Sequence, residues 1–445
     1  MISFAHGIGA RADLPVPLWL AVYGAAAAVL ISFFVLAAFW TEPKFTGGAA
    51  GRPLPPRVQR GCDSAAARVG LRGVGLALLA LTLGAAWLGS DNPLLNPAPT
   101  WLYVWLWVGL APLSVLFGPV WRLLNPLRAI AGFFTSLGVP TARLPAAVGY
   151  WPAAASLLVF VWIELVYDAS DEPATVAWFV TGYAGIHTLL GVIFGQRWFD
   201  RGDGFEAYST LLGHLSALGR RDDGQLVLRS PFNSLATLTR SSGPIAAPGL
   251  VTVIAVLLGS TGFDGVTGGL FWKDLVATYG IGSRSAYLLL GTAGLVGCVA
   301  FVLISYGAAT RSAREYAPAD SADAIELRFA HSLLPIVFGY TVAHYFSLAV
   351  FQGQAGFFLA SDPFDLQWNL LGLDGSQIDY SVVSPTVIAL VQVGAIVAGH
   401  VVGVISAHDR AVAIFPRDRQ GKGQYGLLAV MVAYTIAGIT LVVGP

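Results

Sequence analysis

Ten long apolar runs, separated by shorter polar segments, follow one another along this chain. A membrane-spanning helix needs about 20 mainly apolar residues. Residues 17–40, 69–88, 100–118, 144–167, 174–196, 245–262, 285–307, 324–351, 384–408 and 424–443 each meet that requirement. The pattern predicts an all-α polytopic integral membrane helical bundle of about 10 transmembrane helices, with residues 1–445 forming a single integral membrane domain. The sixth run is the shortest. It opens with TRSSGPIAAPG and closes with GSTGFDGVTGG, which predicts a broken or tightly packed helix with Asp264 at its outer mouth.

Charge fixes the orientation. Cytoplasmic segments carry an excess of Lys and Arg. With the N-terminus outside, 22 of the 25 Lys and Arg residues fall in or beside the inner segments, and only Arg11, Lys273 and Arg284 lie outside. Both termini are therefore expected outside. Ten spans whose sixth enters from the side opposite the first also permit a five-plus-five inverted repeat, although the two halves share no visible motif. Trp40, Trp101, Tyr167, Trp198 and Tyr306 sit at expected span ends, as interfacial anchors do.

The polar segments carry their own patterns. Residues 197–244 read as a cytoplasmic loop. Within it Phe205, Tyr208, Leu211, Leu212, Leu215 and Leu218 form one helical stripe closed by Arg220 and Arg221, which predicts an amphipathic interfacial helix. DDG then turns the chain into an extended QLVLRSP. Asn125-Pro126 should interrupt a short helix in GPVWRLLNPLRAIAGFF. Residues 352–383 read as a long outer loop.

Composition narrows the class further. The chain is 56% hydrophobic and 11% charged, against about 25% charged in soluble domains. Most of its surface therefore meets the lipid bilayer. The formal net charge is zero, and nothing points to nucleic acid. The two cysteines, Cys62 and Cys298, make no CxxC motif, so a disulfide framework is not expected. The N-terminus lacks the basic start of a cleavable signal peptide, so the first span is expected to direct insertion.

Polar groups in lipid are costly and mark candidate sites. His331 and His344 lie on the eighth span, His400 and His408 on the ninth. At 1.5 Å per helical residue, His331 and His400 fall at similar depth near the inner side, where they can meet across the helix seam. His344 faces away from His331. His187 lies near mid-membrane and Glu164 just under the outer surface. One reading joins Glu164, His187, His344 and Asp264 as catalytic groups around a cavity open to the outside. His331, His400 and His344 are candidate metal ligands. Histidine and carboxylate suit zinc or a similar divalent metal, which activates water. Without metal, a Glu–His pair can act as general base and orienter. Facing histidines can also hold a haem iron or relay protons. The plainer alternative for each histidine is a hydrogen bond to a neighbouring helix. By the same reasoning His408-Asp409 reads as an interfacial cap and His214 as solvated, while His6 lies in the N-terminal tail. There is no HExxH, GxSxG, Walker or CxxCH motif.

The segments AHGIGARADLPVPLWL, GDGFEAYSTL, FAHSLLPIVFGYTVAHYFSLAVFQGQ and GHVVGVISAHDRAV resemble the bacterial integral-membrane proteins labelled fenitrothion hydrolase. The resemblance runs through most of the chain. It implies a multi-pass protein of the bacterial plasma (inner) membrane that hydrolyses an apolar organophosphorus triester and releases a nitrophenol. It also implies a related membrane subunit as partner, and it transfers no catalytic residue. Beside this phosphoric triester hydrolase stand two other classes, a transporter or channel with a polar intramembrane site, and a metal- or haem-binding redox component.

Overall fold

The computed structural model describes residues 14–240, 248–279, 283–319 and 324–443. His6, Arg11 and most of TRSSGPIAAPG lie outside the described residues. Among the described residues, ten helices are long and apolar enough to cross a membrane: Leu18–Phe39, Ala65–Leu88, Ala98–Phe117, Ala146–Leu165, Pro173–Arg197, Leu250–Gly268, Arg284–Arg314, Ile325–Ala360, Pro385–Ile414 and Lys422–Val443. The protein is an all-α multi-pass membrane bundle. Local chemistry sets several of the starts. Ser64, Ser283 and Ser384 each accept a hydrogen bond from the N–H three residues on, satisfying a donor that a helix leaves open. Pro173 and Pro385 stand at first helical positions, where a missing N–H costs nothing.

Contacts divide the described chain into two units. The first holds residues 51–229 and 347–382, and therefore spans two to five and the far end of span eight. In it, Pro126–Ser136 and Ala65–Leu88 pack on Pro173–Phe194. Asn125 caps Pro126–Ser136, its side chain accepting from the N–H groups of Leu127 and Arg128, so the helix breaks where Asn-Pro predicts. A small antiparallel sheet has the order β1 (Arg52–Pro53), β3 (Leu226–Leu228), β2 (Leu218–Arg220). Its β2–β3 turn passes through Gly224 at φ +83°, which confirms the extended QLVLRSP.

The expected interfacial helix is corrected here. It spans Gly204–Gly213, and every residue but Thr210 is buried. Leu218 to Arg220 belong to a strand instead. The helix lies among Gly109–Phe117, Trp121–Leu124 and Trp151–Leu165. The stripe was real, but the opposite face found protein partners instead of water.

The second unit holds residues 14–50, 230–346 and 383–443 of the described chain, with spans one, six, seven, nine and ten and the start of span eight. Leu250–Gly268 packs most extensively on Arg284–Arg314, and Leu18–Phe39 on Tyr425–Val443 and Pro385–Ile414. Ala25, Ala343, Ile396, Ile439 and Val442 form one core cluster. Span six is a continuous helix of 19 residues, not a broken one. It is the most enclosed of the ten, with 72% of its apolar window buried. Its small residues allow close approach, and Ser260 and Thr261 return their hydroxyls to the Leu257 carbonyl.

Three smaller expectations change. Span eight continues to Ala360, so the following loop begins at 361. Trp198 and Tyr306 are buried in protein instead of anchoring at an interface. The Tyr306 hydroxyl donates to the Glu326 carbonyl at 2.6 Å.

Candidate functional site

The sequence-predicted polar groups separate between the two units. In the second unit, Asp264 stands inside span six, four residues before its end, and not at the helix mouth. Its carboxylate Oδ2 lies 2.6 Å from Nε2 of His344 on span eight. The His344 and Asp264 side chains are 1% and 4% exposed. A contact this short between imidazole and carboxylate contains a proton, with Nε2–H donating to the carboxylate. The other ring nitrogen, Nδ1, is buried and has no hydrogen-bond partner among the described residues.

Span nine packs closely on span eight. Glycines let it do so: a Cβ on Gly339 would stand 2.5 Å from the Ala395 carbonyl, and one on Gly399 2.6 Å from that of Pro335. The antiparallel register brings Gln392 to the level of His344. Gln392 is fully buried, and both its amide atoms lack a partner among the described residues. Buried polar atoms are nearly always paired. An open imidazole nitrogen and an open carboxamide at one depth therefore mark a site.

The three candidate metal ligands do not converge. Nε2 of His331 faces the Ser406 carbonyl at 3.3 Å. Nδ1 of His400 donates to the Ile396 carbonyl at 2.8 Å, one turn back on its own helix, and its ring meets Tyr340 edge-on. The contact of His331 with Ser406, six residues beyond His400, places the two imidazoles on different turns, about 9 Å apart along the helix axis. His344 is committed to Asp264. Among the described residues no three His, Cys, Asp or Glu side chains are placed to hold a metal ion. The paired-histidine arrangement needed for zinc or haem is thus not the one observed.

His408 and Asp409 are buried. Nδ1 of His408 faces Oε1 of Gln424 at 3.0 Å, and Nε2 faces the Trp40 carbonyl at 3.1 Å. Asp409 accepts from Trp40 Nε1 and the Lys44 N–H. Together they clasp the end of the first span.

The first unit holds the other two candidates. Glu164 is buried one residue before the end of Trp151–Leu165, with the Tyr103 hydroxyl in its electrostatic reach. His187 is buried on span five, where Nδ1 accepts from Trp198 Nε1 at 3.1 Å and the ring stacks on Tyr183. Spans four and five run antiparallel, so Glu164 and His187 lie about 20 Å apart along the helix axes and share no site. His214 ends the buried helix and is itself half-buried.

A cluster that sequence reasoning missed lies in the same unit. Arg128 donates through Nε and Nη2 to both carboxylate oxygens of Glu206, through Nη2 to Asp200 at 2.7 Å, and through Nη1 to Gln196. Asn125 Nδ2 donates to Asp203 at 2.8 Å and to Glu206 at 3.0 Å. The Tyr183 hydroxyl donates to Asp203 at 2.6 Å, and Asp203 also accepts the Glu206 N–H as a helix cap. Arg128, Asp203 and Glu206 are all buried. Burial pushes the Glu206 carboxyl above its ordinary value, against the opposing pull of Arg128. Arg128 looked like one more inner-loop cation; its only sequence signal was its place two residues after the Asn-Pro cap.

No known protein family, curated protein or solved structure matches the chain.

Proposed function

We propose that this membrane protein is a proton-handling transporter whose Asp264–His344 dyad is the proton-binding element. The observation that supports this most directly is the 2.6 Å carboxylate–imidazole contact within the most enclosed of the ten helices. With a second proton on Nδ1, beside the one shared with Asp264, the dyad is neutral overall. Without it, a net negative charge stands in surroundings of low dielectric, which is expensive. The site therefore exchanges a proton against another cation, or couples proton loss to a rearrangement that brings in water. Gln392, at the same depth, offers a donor and an acceptor to whatever enters. The test is proton uptake into proteoliposomes under an imposed pH gradient, read with an entrapped pH-sensitive dye. Wild-type protein should carry protons and Asp264→Asn should not. Uptake by the variant at the wild-type rate would refute the assignment.

A second reading rests on the same dyad. An imidazole with a carboxylate on one nitrogen and its other nitrogen open has the layout of an oriented general base. In a plasma-membrane hydrolase of fenitrothion-like phosphotriesters, which the family resemblance implies, His344 would draw the proton from the attacking water while Asp264 holds the ring. An apolar triester concentrates in the bilayer and reaches such a site laterally. Nitrophenol release by the purified protein with its related subunit, with and without chelator, decides this reading. No release in any combination removes it.

A further inference from the structure

The first unit contains a cavity of about 130 Å3, on the side that the charge pattern assigns to the outside. Thr100, Tyr103 and Val104 of span three line one wall, Gln352 and Leu359 of span eight line another, and Asp171 of the turn between spans four and five lines the rim. An engineered cavity of about 150 Å3 holds benzene, so the occupant has about six non-hydrogen atoms or fewer.

The walls are held in place. Trp101 and Trp105 donate their indole N–H groups to the carbonyls of Gly356 and Gly353, at 3.2 and 3.1 Å. The Tyr103 hydroxyl donates to the Ser170 carbonyl at 2.9 Å, which fixes both the tyrosine ring and the turn carrying Asp171. Trp101–Val108 is a π-helix. Such wide turns are rare and occur frequently at functional sites. Here the wide turn sets the tyrosine on the cavity while the flanking tryptophans stay locked on span eight.

Among the described residues, the one charged side chain lining the cavity is the acid Asp171, and the outer segments share its sign. Residues 89–118, 150–173 and 347–383 contain nine carboxylates and neither Lys nor Arg. An anion is repelled here. A neutral apolar molecule gains nothing from Asp171. A small organic cation gains from the carboxylate, from the tyrosine ring face and from the aliphatic walls together.

We propose that this cavity is a binding site for a small alkylammonium cation, with Asp171 as counter-ion and Tyr103 as aromatic wall. The site is independent of the Asp264–His344 dyad.

The test uses the full chain in lipid nanodiscs, with tetramethylammonium as the probe and tert-butanol as a neutral molecule of the same size. Binding is read by saturation-transfer nuclear magnetic resonance and calorimetry. Tetramethylammonium should bind, and tert-butanol at least about tenfold more weakly, given the strength of a partly desolvated cation–π and ion-pair contact. Asp171→Asn, a half-buried position, should weaken the cation about tenfold without affecting the fold. Ala355 of span eight also lines the cavity, so Ala355→Phe fills it and should abolish binding. Failure of tetramethylammonium to bind, equal binding of the neutral probe, or unchanged affinity in Asp171→Asn would each overturn the proposal.

Discussion

Replacing Asp264 and His344 singly and together separates a pair kept for stability from a pair kept for chemistry. Both side chains are almost wholly enclosed. Asp264→Leu leaves the His344 Nε2–H facing an apolar side chain, with Nδ1 already lacking a partner. His344→Leu leaves a carboxylate without its nearest proton donor. Breaking a buried pair from one side costs about 3–5 kcal/mol, whereas replacing both members with apolar groups of similar volume is often neutral or stabilising. Additive single losses would place the double variant about 6–10 kcal/mol below wild type. A coupled dyad instead puts the double variant within about 1–2 kcal/mol of wild type, a coupling of about 4 kcal/mol or more. Unfolding in mixed micelles, followed by circular dichroism for all four proteins, measures this cycle. Proton uptake in proteoliposomes is then read on the double variant, which should be folded and inactive. Additive destabilisation would show that the two residues do not act as a pair. A folded double variant that still moves protons would remove the dyad from the function.

Three further outcomes follow from the packing. Burial raises the Glu206 carboxyl above its ordinary 4.5, so the folded protein holds that proton more tightly than the unfolded chain does. Its contribution to stability is fully present below about pH 4.5 and is lost as pH rises through the raised value; in pH-dependent unfolding, Glu206→Gln should lack this downward slope. Asn125→Ala removes a helix cap and two hydrogen bonds to buried carboxylates. It should cost about 2–4 kcal/mol in denaturant unfolding, more than the roughly 1 kcal/mol of a cap alone. Gly399→Ala places a methyl group 2.6 Å from the Pro335 carbonyl, where only helix separation can relieve it. A loss of about 1–3 kcal/mol is expected, together with reduced proton uptake, because the same seam brings Gln392 to the level of His344.

The ten spans were legible because lipid imposes one strong rule: a long apolar run must be a helix. Asn125-Pro126 was legible because a proline forbids helix continuation whatever its surroundings. The helix Gly204–Gly213 was misread for the opposite reason. Its stripe of Phe205, Tyr208, Leu211 and Leu212 states that one face is apolar, but not whether the other meets water or Arg128, Asn125 and Ser114. That choice is made by segments more than 60 residues away in sequence. Span six shows the same limit. Its glycines and serines suit a broken helix and a tightly packed one equally, and only the neighbouring Val299 and Leu441 decide. Scarcity of polar groups in lipid drew Asp264 and His344 into the candidate set. It could not say that they pair with each other while His187 turns to Trp198 and His331 to Ser406.

Two buried charged clusters in this protein invite opposite interpretations, and hydrogen-bond saturation distinguishes them. Arg128 spends its guanidinium on Glu206, Asp200 and Gln196, while Asp203 receives Asn125, Tyr183 and a backbone N–H. A network so complete resists rearrangement, because any move exposes a charge that nothing else can satisfy. It suits the closure of a helical core and is a poor place for a proton to come and go. The Asp264–His344 dyad is enclosed as fully, yet one imidazole nitrogen and the Gln392 amide at the same depth are uncommitted. Leaving such groups open costs about 1–3 kcal/mol each. A purely structural position would more economically carry leucine. Span six places its only ionisable side chain at this point, so the cost falls where the proposed transporter would hold its proton. Stability alone would favour saturating or deleting these groups; proton exchange requires that one stay open.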